Sequence, residues 1–211
     1  MTPRLQDRWN ADIGGFSGSD IAKTWAFDEI IAAHSQPHRR YHGVGHLEAL
    51  FALLDEHAKS VVEPLSLHFG VWWHDVVYEP QASDNEARSA ALARVRLTEL
   101  GAASDLIECV DMLILATRNH WEAPAMGDGD YFLDADIAIL GAPPSVYDRY
   151  ADDVRSEYSF APDPMYRAGR SRFLSGAIER QRLFRKPEFE AAYGSAARKN
   201  MRRELSRLSA A

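Results

Sequence analysis

Cysteine is nearly missing from this chain: Cys109 is the sole one in 211 residues. No disulfide can form within the chain, which suits a reducing compartment. Long apolar runs are missing too. Runs such as Met112 to Ala116 fall far short of the ~20 residues that a membrane-spanning helix needs. The stretch from Met1 to Gly15 lacks the apolar core of a secretory signal. These absences together lead to the expectation of a cytoplasmic protein with no membrane partner. Strand-type alternation, internal repeats, low-complexity tracts and long linkers are also absent, which leaves helices as the building material.

What is present fits that frame. Hydrophobic residues make up 46% of the chain, enough to bury a core, and the length suits one domain, residues 1–211. Its core is expected over about 25–160, with a C-terminal helical extension over about 161–208. The net charge of -7 is uneven. Residues 1–148 carry 10 basic and 23 acidic side chains, and residues 149–211 carry 14 and 8. An acidic first part suits a site for cations. A basic tail either approaches an anionic substrate or neutralises its own acidic neighbours. Nothing specific marks nucleic-acid binding, since Lys199 to Arg203 reads as a solvated helix face, and the oligomeric state is not written in the pattern.

The spacing of apolar residues predicts an all-α chain. A first helix holds Trp25, Ile30 and Ile31 and ends by Pro37. A second runs from near His46 past Leu54, and a third, buried on most sides, from Leu65 to Val77. Ser83 and Glu86 have capping-box spacing for a helix through Leu97 that Gly101 closes. Ser104 is placed to cap another reaching Thr117. Asp130 to Leu140 follows, stopped by Gly141 and two prolines, then Ser145 to Tyr158, Pro164 to Phe184, and Pro187 to about Leu208. Pro164 suits a first helical position. Residues from Met1 to Ser19 are weakly patterned and are expected to be loosely held.

Three short stretches carry chemistry. His74-Asp75 lies among Phe69, Val71, Trp72, Trp73, Val76 and Val77. Burying an imidazole and a carboxylate there is costly unless they pair with each other or bind a metal, and the sequence leaves both readings open. Trp72 and Trp73 read as core rather than a stacking platform. In Tyr41-His42-Gly43-Val44-Gly45-His46 the two histidines share a face only if the segment is helical. Gly43 and Gly45 weaken that helix, so His42 falls just before its first turn; the alternative is two surface histidines. In Phe132-Leu133-Asp134-Ala135-Asp136 the helix dipole accounts for one acid near the start, while Asp136, deeper among apolar residues, needs a partner. His46, His74, Asp75 and Asp136 together make a mixed nitrogen and oxygen set suited to a borderline divalent ion.

That order — a lone His, then His-Asp, then a distant Asp, all on helices — resembles the HD superfamily of metal-dependent phosphohydrolases. The likeness extends over Arg40-Tyr41-His42 to His46-Leu47, Trp73 to Tyr78, Asp84-Asn85-Glu86, Leu133 to Asp136, and Arg155-Ser156-Glu157-Tyr158. Those stretches are similar to a bacterial family of predicted HD phosphohydrolases whose substrate is not settled. The resemblance implies a single HD-type helical bundle with C-terminal helices. It implies His46, His74, Asp75 and Asp136 as ligands of a divalent ion (Mn, Mg, Co, Ni, Zn or Fe), and a small phosphorylated substrate, a nucleotide by analogy. Asp75 would also orient the attacking water. The Tyr-His start resembles the cyclic-nucleotide phosphodiesterase motif, whose first His, here His42, protonates the leaving oxygen; Gly43 stands where that motif has asparagine.

Other side chains have two readings each. His120 either contacts phosphate or donates a proton, or is an exposed loop residue; with one extra histidine between His-Asp and Asp136, a single ion is favoured. Glu86 either caps its helix opposite Ser83 or stands over the site as a base. Arg40, Arg155, Tyr158 and Arg170, with Arg39, can clamp an anion, or form ordinary ion pairs such as Arg155 with Asp152. Two other functions stay open: a nucleotide-binding sensor without turnover, and a di-iron oxygenase of the HD type, against which the poverty of histidines argues.

Overall fold

A computed structural model describes residues 3–210, with side chains from residue 4 onward. The fold is all-α, with no strand among the described residues. The helices are α1 (Pro3–Asp12), α2 (Asp20–His34), α3 (Val44–Glu56), α4 (Pro64–Trp73), α5 (Asn85–Glu99), α6 (Ser104–Ala116), α7 (Gly129–Ile137), α8 (Pro144–Glu157), α9 (Asp163–Ile178), α10 (Pro187–Phe189) and α11 (Ser195–Ala210). No helix is long and apolar enough to cross a membrane among the described residues. The chain divides into two compact units, Met1–Leu133 and Asp134–Ala211. The division falls inside α7, which is one continuous helix.

In the first unit α1 corrects the expectation of a loose N-terminal stretch. Leu5, Trp9 and Ile13, four residues apart, are buried, as one helical face requires. Trp9 meets Phe27, Phe69 and Trp72 at centroid distances of 5.5–6.1 Å, and its Nε1 donates to the Lys23 carbonyl at 3.1 Å. Trp72 and Trp73 are fully buried, as read from the sequence. Trp25 is not: it is 53% exposed, with the Arg96 guanidinium 3.9 Å above its ring. Arg96 in turn holds Glu29 with two hydrogen bonds of 2.7 and 3.0 Å and ties α5 to α2.

Helix ends depart from the local code in two places. The residue before α5 is Asp84, with no side-chain cap, and the carboxamide of Asn85 instead accepts from the Glu79 amide and donates to the Glu79 carbonyl. The Ser83–Glu86 capping box therefore does not form. Ser104 is the first residue of α6 rather than its cap. Gly101 does close the preceding helix. Its φ is +79°, and a Cβ there would stand 2.2 Å from Ser17 Oγ, so both its backbone conformation and its surroundings require glycine.

The second unit builds α8, α9 and α11 around Tyr147, Leu174, Phe184, Phe189, Ala197 and Met201. Gly141 lies so close to Tyr193 that a Cβ would meet it at 2.6–2.9 Å. Asn200 donates to the Leu140 and Ala142 carbonyls and holds that turn on α11. Basic residues of the C-terminal part pair with acids of the same unit: Arg198 with Glu190, Arg203 and Arg207 with Asp148, Arg170 with Glu204. This is the neutralising use of the basic tail. Both Arg207 and Arg203 hold Asp148 below its ordinary pKa through hydrogen bonds.

Candidate metal centre

His74 is the residue at which α4 stops, not a residue inside a helix reaching Val77. Two side chains draw the chain out of the helix there. The Arg39 guanidinium donates to the carbonyls of Asp75 (2.5 Å), Val76 (3.0 Å) and His42 (3.4 Å), and Ser89 Oγ accepts from the Val77 amide. A planar fork that reaches two loops at once fixes one against the other. Arg39 thereby ties the segment ahead of α3 to the turn that carries Asp75.

Gly43 is the cap residue of α3, so His42 stands just outside the helix and His46 in its first turn. The imidazoles of His46 and His74 then converge: His46 Nε2 lies 3.3 Å from His74 Nε2. His46 and His74 are 5% and 1% exposed. Asp75 Oδ2 is 3.2 Å from His74 Nε2 and 3.9 Å from His46 Nε2. The Phe132 ring of α7 packs 5.5 Å from the His74 ring, and one helical turn further along α7 comes Asp136. One ligand atom from each of His46, His74 and Asp136 lies within 4.8 Å of the others.

The donor set fits a divalent ion. His74 Nδ1 lies 3.1 Å from the Val71 carbonyl. That carbonyl can only accept, so Nδ1 carries the proton and Nε2 presents its lone pair. A backbone carbonyl behind a ligating imidazole is the usual way a tautomer is fixed for metal binding. Two nitrogens bound at about 2.1 Å to one tetrahedral ion stand roughly 3.4 Å apart; the observed separation is 3.3 Å.

No protein-family model, curated protein or solved structure matches this chain. The geometry stands on its own, and a group able to hold a metal is what it establishes.

The other candidate residues are placed as follows. His42 flanks the centre, its ring 5.8 Å from that of His46 and 4.4 Å from Tyr78. Arg40 is exposed beside it, and Glu86 is half-buried in the first turn of α5. His120 follows a 3₁₀ turn after α6, half-buried and 6.5 Å from the Trp121 ring. Arg155, Tyr158 and Arg170 belong to the second unit. Arg155 donates to the Tyr158 and Ala161 carbonyls and pairs with Asp163 at 2.6 Å, not with Asp152. The Tyr158 ring packs near Phe160 and Tyr166. Arg170 is buried against Glu204. Asp134, two residues before Asp136, is 1% exposed and accepts the Arg185 and Lys186 amides at 2.8 and 2.7 Å. One acid of the pair is thus a bracket for a loop.

One buried histidine escaped the sequence reading. His34 ends α2 and is 2% exposed. Burial, and then the charge of Arg39, push its pKa down to about 3. Above pH 6.5 the ring is neutral in both folded and unfolded chains. Between pH 6.5 and about 3 only the unfolded ring takes up a proton, so stability falls as pH drops, by about 1.4 kcal/mol per unit from this group. We expect His34→Phe to lose stability less steeply than the parent protein between pH 6 and 4 in urea unfolding. Parallel slopes in that window would show that the ring is solvated.

Proposed function

We propose that this protein is a metal-dependent phosphohydrolase that cleaves a phosphomonoester or phosphodiester, with nucleotides as the favoured substrate class, in the cytoplasm. The observation that carries the reading is the meeting of His46, His74 and Asp136, with Asp75 against both imidazoles. A divalent ion held there would polarise a phosphoryl oxygen and make hydroxide available near neutral pH.

The chain's own groups supply the rest. In this reading Asp75, whose Oδ2 lies half-buried beside both imidazoles, would orient the attacking water and accept its proton. His42, its ring in contact with those of Tyr78 and Tyr41, would protonate the leaving oxygen. Arg40, on the same loop and exposed, is the nearest candidate in sequence to meet the substrate's remaining negative charge. Glu86, which no capping box occupies, remains a candidate base.

The test is a panel of nucleotides and simple phosphoesters assayed with Mn, Mg, Co, Ni and Zn, against Asp75→Ala protein. Metal-dependent release of phosphate or of a nucleoside monophosphate is expected from the parent protein. The variant should be slower by at least the 10²–10⁴-fold that a positioned acid–base group contributes. Equal background rates from both proteins under every condition would remove the hydrolytic reading.

A further inference from the structure

His34 does more than titrate. Its Nδ1 lies 2.9 Å from the Ile30 carbonyl, so Nδ1 carries the proton and Nε2 is left as an acceptor. That Nε2 is fully buried and has no hydrogen-bonding partner among the described residues. A basic nitrogen placed so is uncommon and points to a donor that is not a protein group.

The His34 backbone touches the loop that launches α3: a Cβ on Gly43 would stand 3.2 Å from the His34 carbonyl and 3.5 Å from that of Arg39. Gly43 caps the helix in whose first turn His46 lies. Arg39 grips the Asp75 carbonyl. The charges that act on the His34 ring are those of Arg39, Asp75 and His74. The His34 backbone thus borders the loop before α3, and its ring lies within electrostatic reach of His74 and Asp75, yet it does not belong to the trio of atoms within 4.8 Å of one another.

We propose that His34 is a positioning residue whose Nε2 accepts a hydrogen bond from a water molecule at the His46–His74–Asp136 centre and so fixes where that water stands. This rests on the metal-centre reading above. Because burial keeps the ring neutral down to about pH 3, its acceptor is present wherever the histidine ligands are themselves deprotonated. A neutral acceptor can orient a water without adding a second charge beside the carboxylates.

Cobalt(II) titration followed by visible absorption tests this on the parent protein, His34→Phe and His34→Gln. Phenylalanine keeps an aromatic ring and removes the acceptor; glutamine places an amide oxygen near the former Nε2. We expect His34→Phe to bind cobalt ten- to a hundredfold more weakly, the loss typical of an outer-sphere partner, with an altered ligand-field band. His34→Gln should recover most of both. Identical affinity and spectrum for His34→Phe and the parent would overturn the positioning role and leave the centre standing. A parent protein that takes up no cobalt would overturn both. If His34→Phe loses its helical circular dichroism, the ¹⁵N resonance of His34 Nε2 in the parent protein decides: a shift on zinc loading supports the contact, and an unmoved resonance refutes it.

Discussion

If the proposed metal-dependent hydrolysis is right, His74→Ala will lose divalent-ion binding and phosphoester hydrolysis together, with little change in helix content. The side chain is 1% exposed, and its tautomer is set by the Val71 carbonyl, so it enters the site preorganised and loses little freedom on binding. Removing it deletes the nitrogen that lies 3.3 Å from His46 Nε2 and 3.2 Å from Asp75 Oδ2. His46 and Asp136 cannot then enclose an ion with Asp75 alone. The loss of affinity should exceed the ten- to hundredfold that follows removal of an outer-sphere partner. Turnover at fixed metal should fall to the level of the metal-free protein. Metal content after gel filtration, a titration of the variant, and its circular dichroism together separate ligand loss from unfolding. A variant that keeps one ion per chain at parental affinity would place the metal elsewhere.

The residues that meet in this group were legible because they are chemically conspicuous where they stand: two histidines and an aspartate amid apolar residues. The helices that carry them follow from apolar spacing, and the two glycines of residues 43–45 correctly place His42 outside α3. What escaped was non-local. Asp134 and Asp136 look alike in sequence, yet two residues rotate a helix by roughly 200°. One faces the imidazoles, and the other takes two amides from residues 51 and 52 positions away. The work of Arg39 depends on carbonyls 36 and 37 residues along the chain. Those same hydrogen bonds end α4 four residues earlier than its apolar run suggests. The capping signals at Ser83 and Ser104 lost to local competition, as the Asn85–Glu79 pairing illustrates. α1 was missed although Leu5, Trp9 and Ile13 carry its signal, because three apolar positions in a polar segment are few against the weight of its charged residues.

Glu204→Ala will destabilise the second unit by about 3–5 kcal/mol, the penalty for stranding a buried charge. Arg170 and Glu204 have side chains only 8% and 7% exposed. The guanidinium donates to both carboxylate oxygens, at 2.8 and 3.1 Å, and to the Tyr150 hydroxyl at 3.2 Å. Tyr147 donates its hydroxyl to the same carboxylate at 2.5 Å, and burial, then Glu204, raises its pKa well above the ordinary phenol value. Burial opposes the charge of Arg170, but Tyr150 and Glu204 outweigh it. With Glu204 gone, a guanidinium that cannot deprotonate is left facing hydroxyls alone. Replacing the pair together, as Arg170→Met with Glu204→Leu, removes the stranded charge and should restore most of the loss. Urea unfolding of the single and double variants measures both numbers, and a single-variant cost under about 1 kcal/mol would mean that water reaches the pair. The same experiment bears on activity. If Arg170→Ala impairs hydrolysis only in proportion to the unfolded fraction, this arginine serves the scaffold, and the substrate's charge is met by groups such as Arg40.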